Sequence, residues 1–216
     1  MAKLHIFDMD NTLINCDCDV TWKQFVVKHG MAPESAIAET EKFFADYDNG
    51  EMDQKSFIDF QLAEIKGRSM IEMGKLTRQH FAEFVLENVR PAAMEAVLEA
   101  FGKGEDVAML TGTNEVIARP VADHFHIAEI CACGLEIVDG IYTGNTTPPY
   151  PCGASKIYYL GALCSRHNLT PADVVAYGDS VNDIPLLEMV GTPVAVSPSP
   201  QLREYAEKKN WRIVEW

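Results

Sequence analysis

The stretch HIFDMDNTLI, His5 to Ile14, decides the reading of this chain. A short apolar run ends on two aspartates one residue apart, Asp8 and Asp10. Burying like charges side by side is unfavourable unless something compensates them. An apolar strand that stops on acid therefore marks a place where a buried element reaches a site.

Working outward, Lys3 to Phe7 reads as the first strand. From Val20 to Asn88 the periodicity changes. "VTWKQFVVKHG", "ESAIAETEKFFADYDNG", "MDQKSFIDFQLAEIKG" and "MIEMGKLTRQHFAEFVLENV" carry apolar residues three and four apart, which predicts amphipathic helices. Gly30, Gly50 and Gly67 stand at the expected helix stops. Residues 15–90 thus read as an all-helical insert. Pro91 opens a further helix, "PAAMEAVLEAFGKG". "DVAMLTGTN" is a buried strand, "VIARPVADHF" a helix, and "EICACGLEIVDGIYTGNT" a pair of strands turning at Asp139-Gly140. "KIYYLGALCSRHN" reads as a helix, "ADVVAYGDS" as a strand, "NDIPLLEMVG" as a helix and "TPVAVSP" as a strand; a short helix and "WRIVEW" close the chain. Alternation of buried strands with helices predicts a parallel sheet covered on both faces.

Composition narrows the function classes. Of 216 residues, 18 are Lys or Arg and 32 are Asp or Glu, for a net charge of −14. That balance, without a basic cluster, argues against a nucleic-acid partner. No apolar run approaches the roughly 20 residues of a membrane span, and no signal-peptide pattern opens the chain. The expectation is a cytoplasmic protein with no membrane partner. In that setting the six cysteines are free thiols. The C-x-C pairs Cys16/Cys18 and Cys131/Cys133 are tighter than typical structural zinc spacing. None of the six histidines falls in a ligand-like pair.

In open α/β sheets ligands bind at the carboxyl ends of strands. Three strands here end in polar chemistry: Asp8 and Asp10, Thr111-Gly112, and Asp179 with Asp183. Lys156 begins a helix after a glycine-containing loop. Any one of these alone is an ordinary cap or turn residue. Their joint occurrence at one sheet edge points to a site.

The segments "DMDNTL", "LTGT", "GASK" and "GDSVNDIPLL" resemble, in order, the four motifs of the haloacid dehalogenase superfamily. The insert resembles the cap of its phosphoserine-phosphatase-like branch. The resemblance implies a doubly wound, Rossmann-like α/β core over residues 1–14 and 91–216, with a helical cap domain over 15–90. It also implies a Mg²⁺-dependent phosphatase acting on a small-molecule phosphate ester. Asp8 would be the nucleophile, forming an aspartyl-phosphate, and Asp10 the general acid and base. Asp8, Asp10 through its backbone carbonyl, Asp179 and Asp183 would hold the metal. Thr111, Gly112 and Lys156 would bind phosphate, with backbone N–H groups of Met9, Asp10 and Gly112 around it. The physical logic agrees: carboxylates alone would repel a phosphoryl group, and a hard cation between them removes that conflict. An acid two residues after the nucleophile favours phosphoryl chemistry over dehalogenation.

The cap candidates are Asp17, Asp19, Trp22, Asp59 and Arg68. Asp17 falls where phosphoserine phosphatases resemble it with an ammonium-binding glutamate. Asp59 falls near their carboxylate-binding arginine. An acid there disfavours phosphoserine and leaves room for amine-bearing esters such as histidinol phosphate or phosphoethanolamine. The bland alternative makes Asp17 and Asp19 solvated helix residues, Trp22 core and Arg68 surface. A phosphotransferase or mutase on the same intermediate stays open, as does a non-catalytic phosphate sensor. Monomer and homodimer both remain open.

Overall fold

The structure is a computed structural model describing residues 3–48 and 51–216. Seven strands form one sheet: β1 (Leu4–Phe7), β2 (Asp106–Asn114), β3 (Glu129–Val138), β4 (Ile141–Thr147), β5 (Val174–Gly178), β6 (Thr192–Val196) and β7 (Arg212–Val214). Their order is β4-β3-β2-β1-β5-β6-β7, and every neighbouring pair is parallel except β3–β4. The α-helices among the described residues are α1 (Cys18–Lys28), α2 (Ser35–Asp48), α3 (Gln54–Gln61), α4 (Met70–His80), α5 (Pro91–Gly102), α6 (Glu115–His124), α7 (Lys156–His167), α8 (Ile184–Met189) and α9 (Pro200–Lys209).

Strand periodicity sorts the core into two layers. Phe7, Met109, Val175, Tyr177, Val194 and Val196 face one side, packed with α5 and α6 residues such as Val97 and Val121. Leu4, Ile6, Ala108, Leu110, Val174, Ala176 and Ala195 face the other, against Leu160, Leu186 and Leu202 of α7, α8 and α9. Each fully buried side chain of this size contributes about 1.5–3 kcal/mol. The doubly wound α/β architecture predicted above is therefore present.

The chain leaves β1 through a tight loop, runs through α1 to α4, and returns at α5. Lys23 of α1 is fully buried; its Nζ donates to Phe60 O at 2.6 Å and to Glu64 at 2.5 Å, fastening α1 to α3. The β3–β4 hairpin, turned at Asp139 and Gly140 with positive φ, clasps the turn between α3 and α4. Gly67 N donates to Tyr142 O, Met70 N to Gly140 O, and Tyr142 N to Arg68 O.

Two helices differ from the reading of the sequence. The segment expected as one helix ending at Gly67 is helical only as far as Gln61. Turns then carry Leu62 and Ile65 into the core, and Gly67 closes them with φ +81°. The helix beginning at Met70 breaks at His80 into a π turn, Phe81–Val85, and a 3₁₀ turn, Leu86–Asn88. The extra residue per turn keeps Val85 buried on the face that began at Met73. The expected stop at Gly50 lies outside the described residues.

Candidate active site

Register builds the site. Phe7 pairs with Met109 on one side and with Tyr177 on the other. Asp8 and Asp179 therefore leave neighbouring strands at nearly the same height, and Asp8 N donates to Tyr177 O at 2.9 Å. Carboxyl oxygens of Asp8, Asp179 and Asp183 all lie within 4.8 Å of one another.

Lys156, at the first position of α7, provides the single ammonium of this cluster. Its Nζ donates to Asp8 Oδ1 at 2.8 Å and to Asp183 Oδ1 at 2.6 Å. The other oxygen of Asp183 accepts from the N–H groups of Asp179 and Ser180, each at 3.1 Å. Asp183 closes a capping box with Ser180 and is almost wholly buried. Gly178 makes this possible, because a Cβ there would come within 2.4 Å of the Asp183 carboxyl carbon.

Electrostatics show a deficit of positive charge. Burial, reinforced by Asp183 and opposed by Lys156, pushes the Asp8 carboxyl up to about 7. Burial, with Asp183 and Asp8 adding repulsion, pushes Asp179 up to about 9. Burial alone would lower the Lys156 pKa, but Asp183 and Asp8 together hold it above the ordinary lysine value. These are hard oxygen donors with one ammonium among three acids, a donor set that fits a divalent cation such as Mg²⁺.

Asp10 occupies a different setting. Its Oδ1 accepts from Cys18 N at 2.8 Å and its Oδ2 from Thr113 Oγ1 at 2.6 Å. Burial first, then the charge of Asp17, pushes its carboxyl up to about 8. The strand expected to end at Thr111-Gly112 runs on to Asn114 through an irregular register; Thr111 is buried within it, where its Oγ1 accepts from Thr113 N at 3.1 Å. Gly112 lies between these two threonines. Asp8, Thr111, Lys156, Asp179 and Asp183 come together as buried or half-buried polar groups at one sheet edge, with Asp10 held beside them.

The cap candidates scatter. Asp17 is the N-cap of α1, accepting from Asp19 N at 2.8 Å and Val20 N at 3.1 Å. Trp22 is fully buried, stacked on Phe25 and set edge-on to His80. Asp59 is exposed on α3 and ion-paired with Lys55 four residues earlier, so α3 turns it away from the cleft. Arg68 donates from Nε to Glu64 O at 2.7 Å. Sliding a motif along a helix misplaces side chains because an offset of two residues rotates the side chain by about 200°. The sequence reading missed Thr113, which holds Asp10, and Gln61, Asn114 and Tyr150, which line the adjoining cleft. Only Thr113 carried a signal, as the second threonine of "LTGTN".

Comparison with known proteins agrees with this geometry. The sequence matches the haloacid dehalogenase-like hydrolases over residues 6–188. It is 35% identical to a histidinol-phosphatase of Neisseria meningitidis serogroup C over the full length of both chains. It is 31% identical to a phosphoserine phosphatase of Mycobacterium tuberculosis over 70% of this chain and 49% of that one. The fold superposes on a Bordetella pertussis protein of unknown function with a TM-score of 0.89 and 28% identity, covering 99% of each chain. It also superposes on a phosphoserine phosphatase carrying a phospho-aspartyl intermediate analogue, with a TM-score of 0.71 and 20% identity, covering 98% of this chain and 92% of that one. With a match across most of its length and a relative aligned end to end, the chain belongs to the haloacid dehalogenase-like hydrolases.

Proposed function

We propose that the protein is a Mg²⁺-dependent phosphatase that hydrolyses a small, amine-bearing phosphate monoester through an aspartyl-phosphate on Asp8. The observation carrying this reading is the close approach of Asp8, Asp179 and Asp183 around one lysine. Two buried carboxylates and one half-buried one against a single ammonium are stable as a set when a cation joins them and a phosphate replaces part of their solvation.

In this reading Asp8, Asp179, Asp183 and the Asp10 carbonyl hold Mg²⁺. When bound, the ion supplies charge neutralisation for the phosphoryl oxygens. Asp8 Oδ attacks phosphorus, and the bond to the leaving oxygen breaks. Asp10 gives its proton to that oxygen, then takes one from the water that cleaves the aspartyl-phosphate. Its raised pKa and its two donors, Thr113 and Cys18 N, support a carboxyl held protonated and aimed. Lys156 steadies Asp8 and meets a phosphoryl oxygen as a point charge. Thr111 and the N–H groups of Met9, Asp10 and Gly112 complete the cradle. Residues 15–90 act as a cap domain that excludes water and selects the leaving group. The end-to-end similarity to a histidinol-phosphatase supports histidinol phosphate as the substrate to try first.

The test is phosphate release from histidinol phosphate, phosphoserine, phosphoethanolamine and an aryl phosphate, with Mg²⁺ or EDTA. Expected is Mg²⁺-dependent turnover that Asp8→Asn abolishes. Turnover that survives EDTA, or survives Asp8→Asn, would overturn the mechanism.

A further inference from the structure

A cleft lies between α1, α3, the carboxyl end of β2 and the β3–β4 pair. It adjoins the site on two sides. Gly112, in its wall, lies next to Thr113, which holds Asp10 Oδ2; Asp19, also in its wall, follows Cys18, whose N–H holds Asp10 Oδ1.

The wall contains an anomaly. Gln61, at the last position of α3, is 4% exposed, yet neither its Oε1 nor its Nε2 has a hydrogen-bond partner. An unpartnered buried amide is destabilising. Phe57, one turn earlier on the same face, is buried and apolar, so helix packing alone would favour leucine or methionine at position 61. Gln61 lines the cleft, and its buried amide leaves a donor and an acceptor unused.

Other groups in the wall share this property. Asp19 makes no ion pair among the described residues. Asn114 commits its Oδ1 to Ile117 N as the N-cap of α6, leaving its Nδ2 toward the cleft. The Tyr150 hydroxyl lies within the electrostatic reach of Asp19 and Asp17. Neither lysine nor arginine lines the cleft. A carboxylate entering it would meet an acid and no cation. An ammonium would meet Asp19.

We propose that Gln61 and Asp19 read the leaving group of the substrate. Asp19 pairs with a protonated amine, and the Gln61 amide hydrogen-bonds a neutral group that offers both a donor and an acceptor, as an imidazole does. This inference rests on the hydrolytic reading above. It assigns the amine to Asp19, which lines the cleft, whereas Asp17 does not line it and holds the α1 cap through Oδ1, and it assigns to Gln61 the discrimination that the exposed Asp59 does not reach.

The experiment compares wild type, Gln61→Leu, Gln61→Met and Asp19→Asn on histidinol phosphate, phosphoserine and an aryl phosphate, with thermal melting of each. Expected is a preference of wild type for histidinol phosphate over phosphoserine. Gln61→Leu and Gln61→Met should lose about tenfold or more in kcat/KM on histidinol phosphate, stay within about twofold on the aryl phosphate, and melt no lower than wild type. Asp19→Asn should show the same selective loss. If wild type hydrolyses none of the esters, the hydrolytic reading itself fails. If wild type hydrolyses them but prefers phosphoserine, the inference alone is overturned. It is equally overturned if both Gln61 variants keep full activity on histidinol phosphate, or lose activity equally on every ester.

Discussion

The ammonium of Lys156 lies 2.8 Å from Oδ1 of Asp8, and both side chains are buried. The same nitrogen reaches Asp183 at 2.6 Å, so one cation from α7 binds the ends of two strands together. Removing it leaves three carboxylates with no counter-charge. Lys156→Met should lose about 10²–10³ in kcat and about 3–5 kcal/mol of stability in metal-free solution. Added Mg²⁺ should return part of the stability and little of the activity. Chemical denaturation with and without Mg²⁺ checks this; a variant as stable as wild type in EDTA would contradict it.

Asp10 is held by Thr113 and by Cys18 N, with its carboxyl raised to about 8. A general acid matters most when the leaving oxygen is basic. Asp10→Asn should therefore lose about 10²–10⁴ on an alkyl phosphate ester. In the first, phosphoryl-transfer step the loss should be much smaller with an aryl phosphate, whose leaving group departs unaided. Rapid-quench measurement of the leaving group released in the first turnover separates the cases. Equal losses on both esters would argue against the acid role.

Gly178 packs against Asp183, and a methyl group there would overlap its carboxyl carbon at 2.4 Å and its Oδ2 at 2.6 Å. Gly178→Ala should destabilise the protein by about 1–3 kcal/mol through overpacking and weaken Mg²⁺ binding at least tenfold. Calorimetric titration of Mg²⁺ into the folded variant is the measurement. Unchanged affinity would show that Asp183 relocates without consequence.

His80 sits fully buried against Trp22, Phe25 and Phe84, with Nε2 3.0 Å from Thr21 Oγ1. Burial lowers its pKa from 6.5 to about 4. A depressed pKa means the unfolded chain binds the proton more readily. Its contribution is present above pH 6.5 and is lost as pH falls through about 4, with a ceiling near 3 kcal/mol. Melting temperature should fall between pH 7 and pH 4. In His80→Gln that fall should be shallower, even though the variant is less stable at pH 7. Parallel slopes for the two proteins would remove His80 as the cause.

The ends of the strands were legible from residue order alone. Buried parallel strands must be apolar, so the acids Asp8 and Asp179 announce where β1 and β5 stop; Thr111 does not mark the end of its strand, since β2 continues to Asn114. The rule that ligands gather at carboxyl ends then places them together. The turn at Asp139-Gly140 was equally legible, since few dipeptides accept two positive φ values in succession. The helices of residues 15–90 were legible as helices, from their three- and four-residue spacing.

What each of those helices turns toward the site was not. Helix periodicity reports which face is apolar, not what that face meets. Asp59 and Gln61 lie two residues apart on α3 with opposite fates: one ion-paired in solvent, the other buried at a cleft with no partner. That difference arises from the docking of α3 against α1 through Lys23 and from the clasp of the β3–β4 hairpin, both contacts between residues far apart in the chain. The break at His80 has the same origin, because burying Val85 outweighs regular α-helical hydrogen bonding there. The sequence by itself determined the sheet, the family and the polar residues gathered at its carboxyl edge, because those follow from local pattern and strand polarity. Only the tertiary structure decided which side chains line the adjoining cleft, because that depends on how separately formed helices pack.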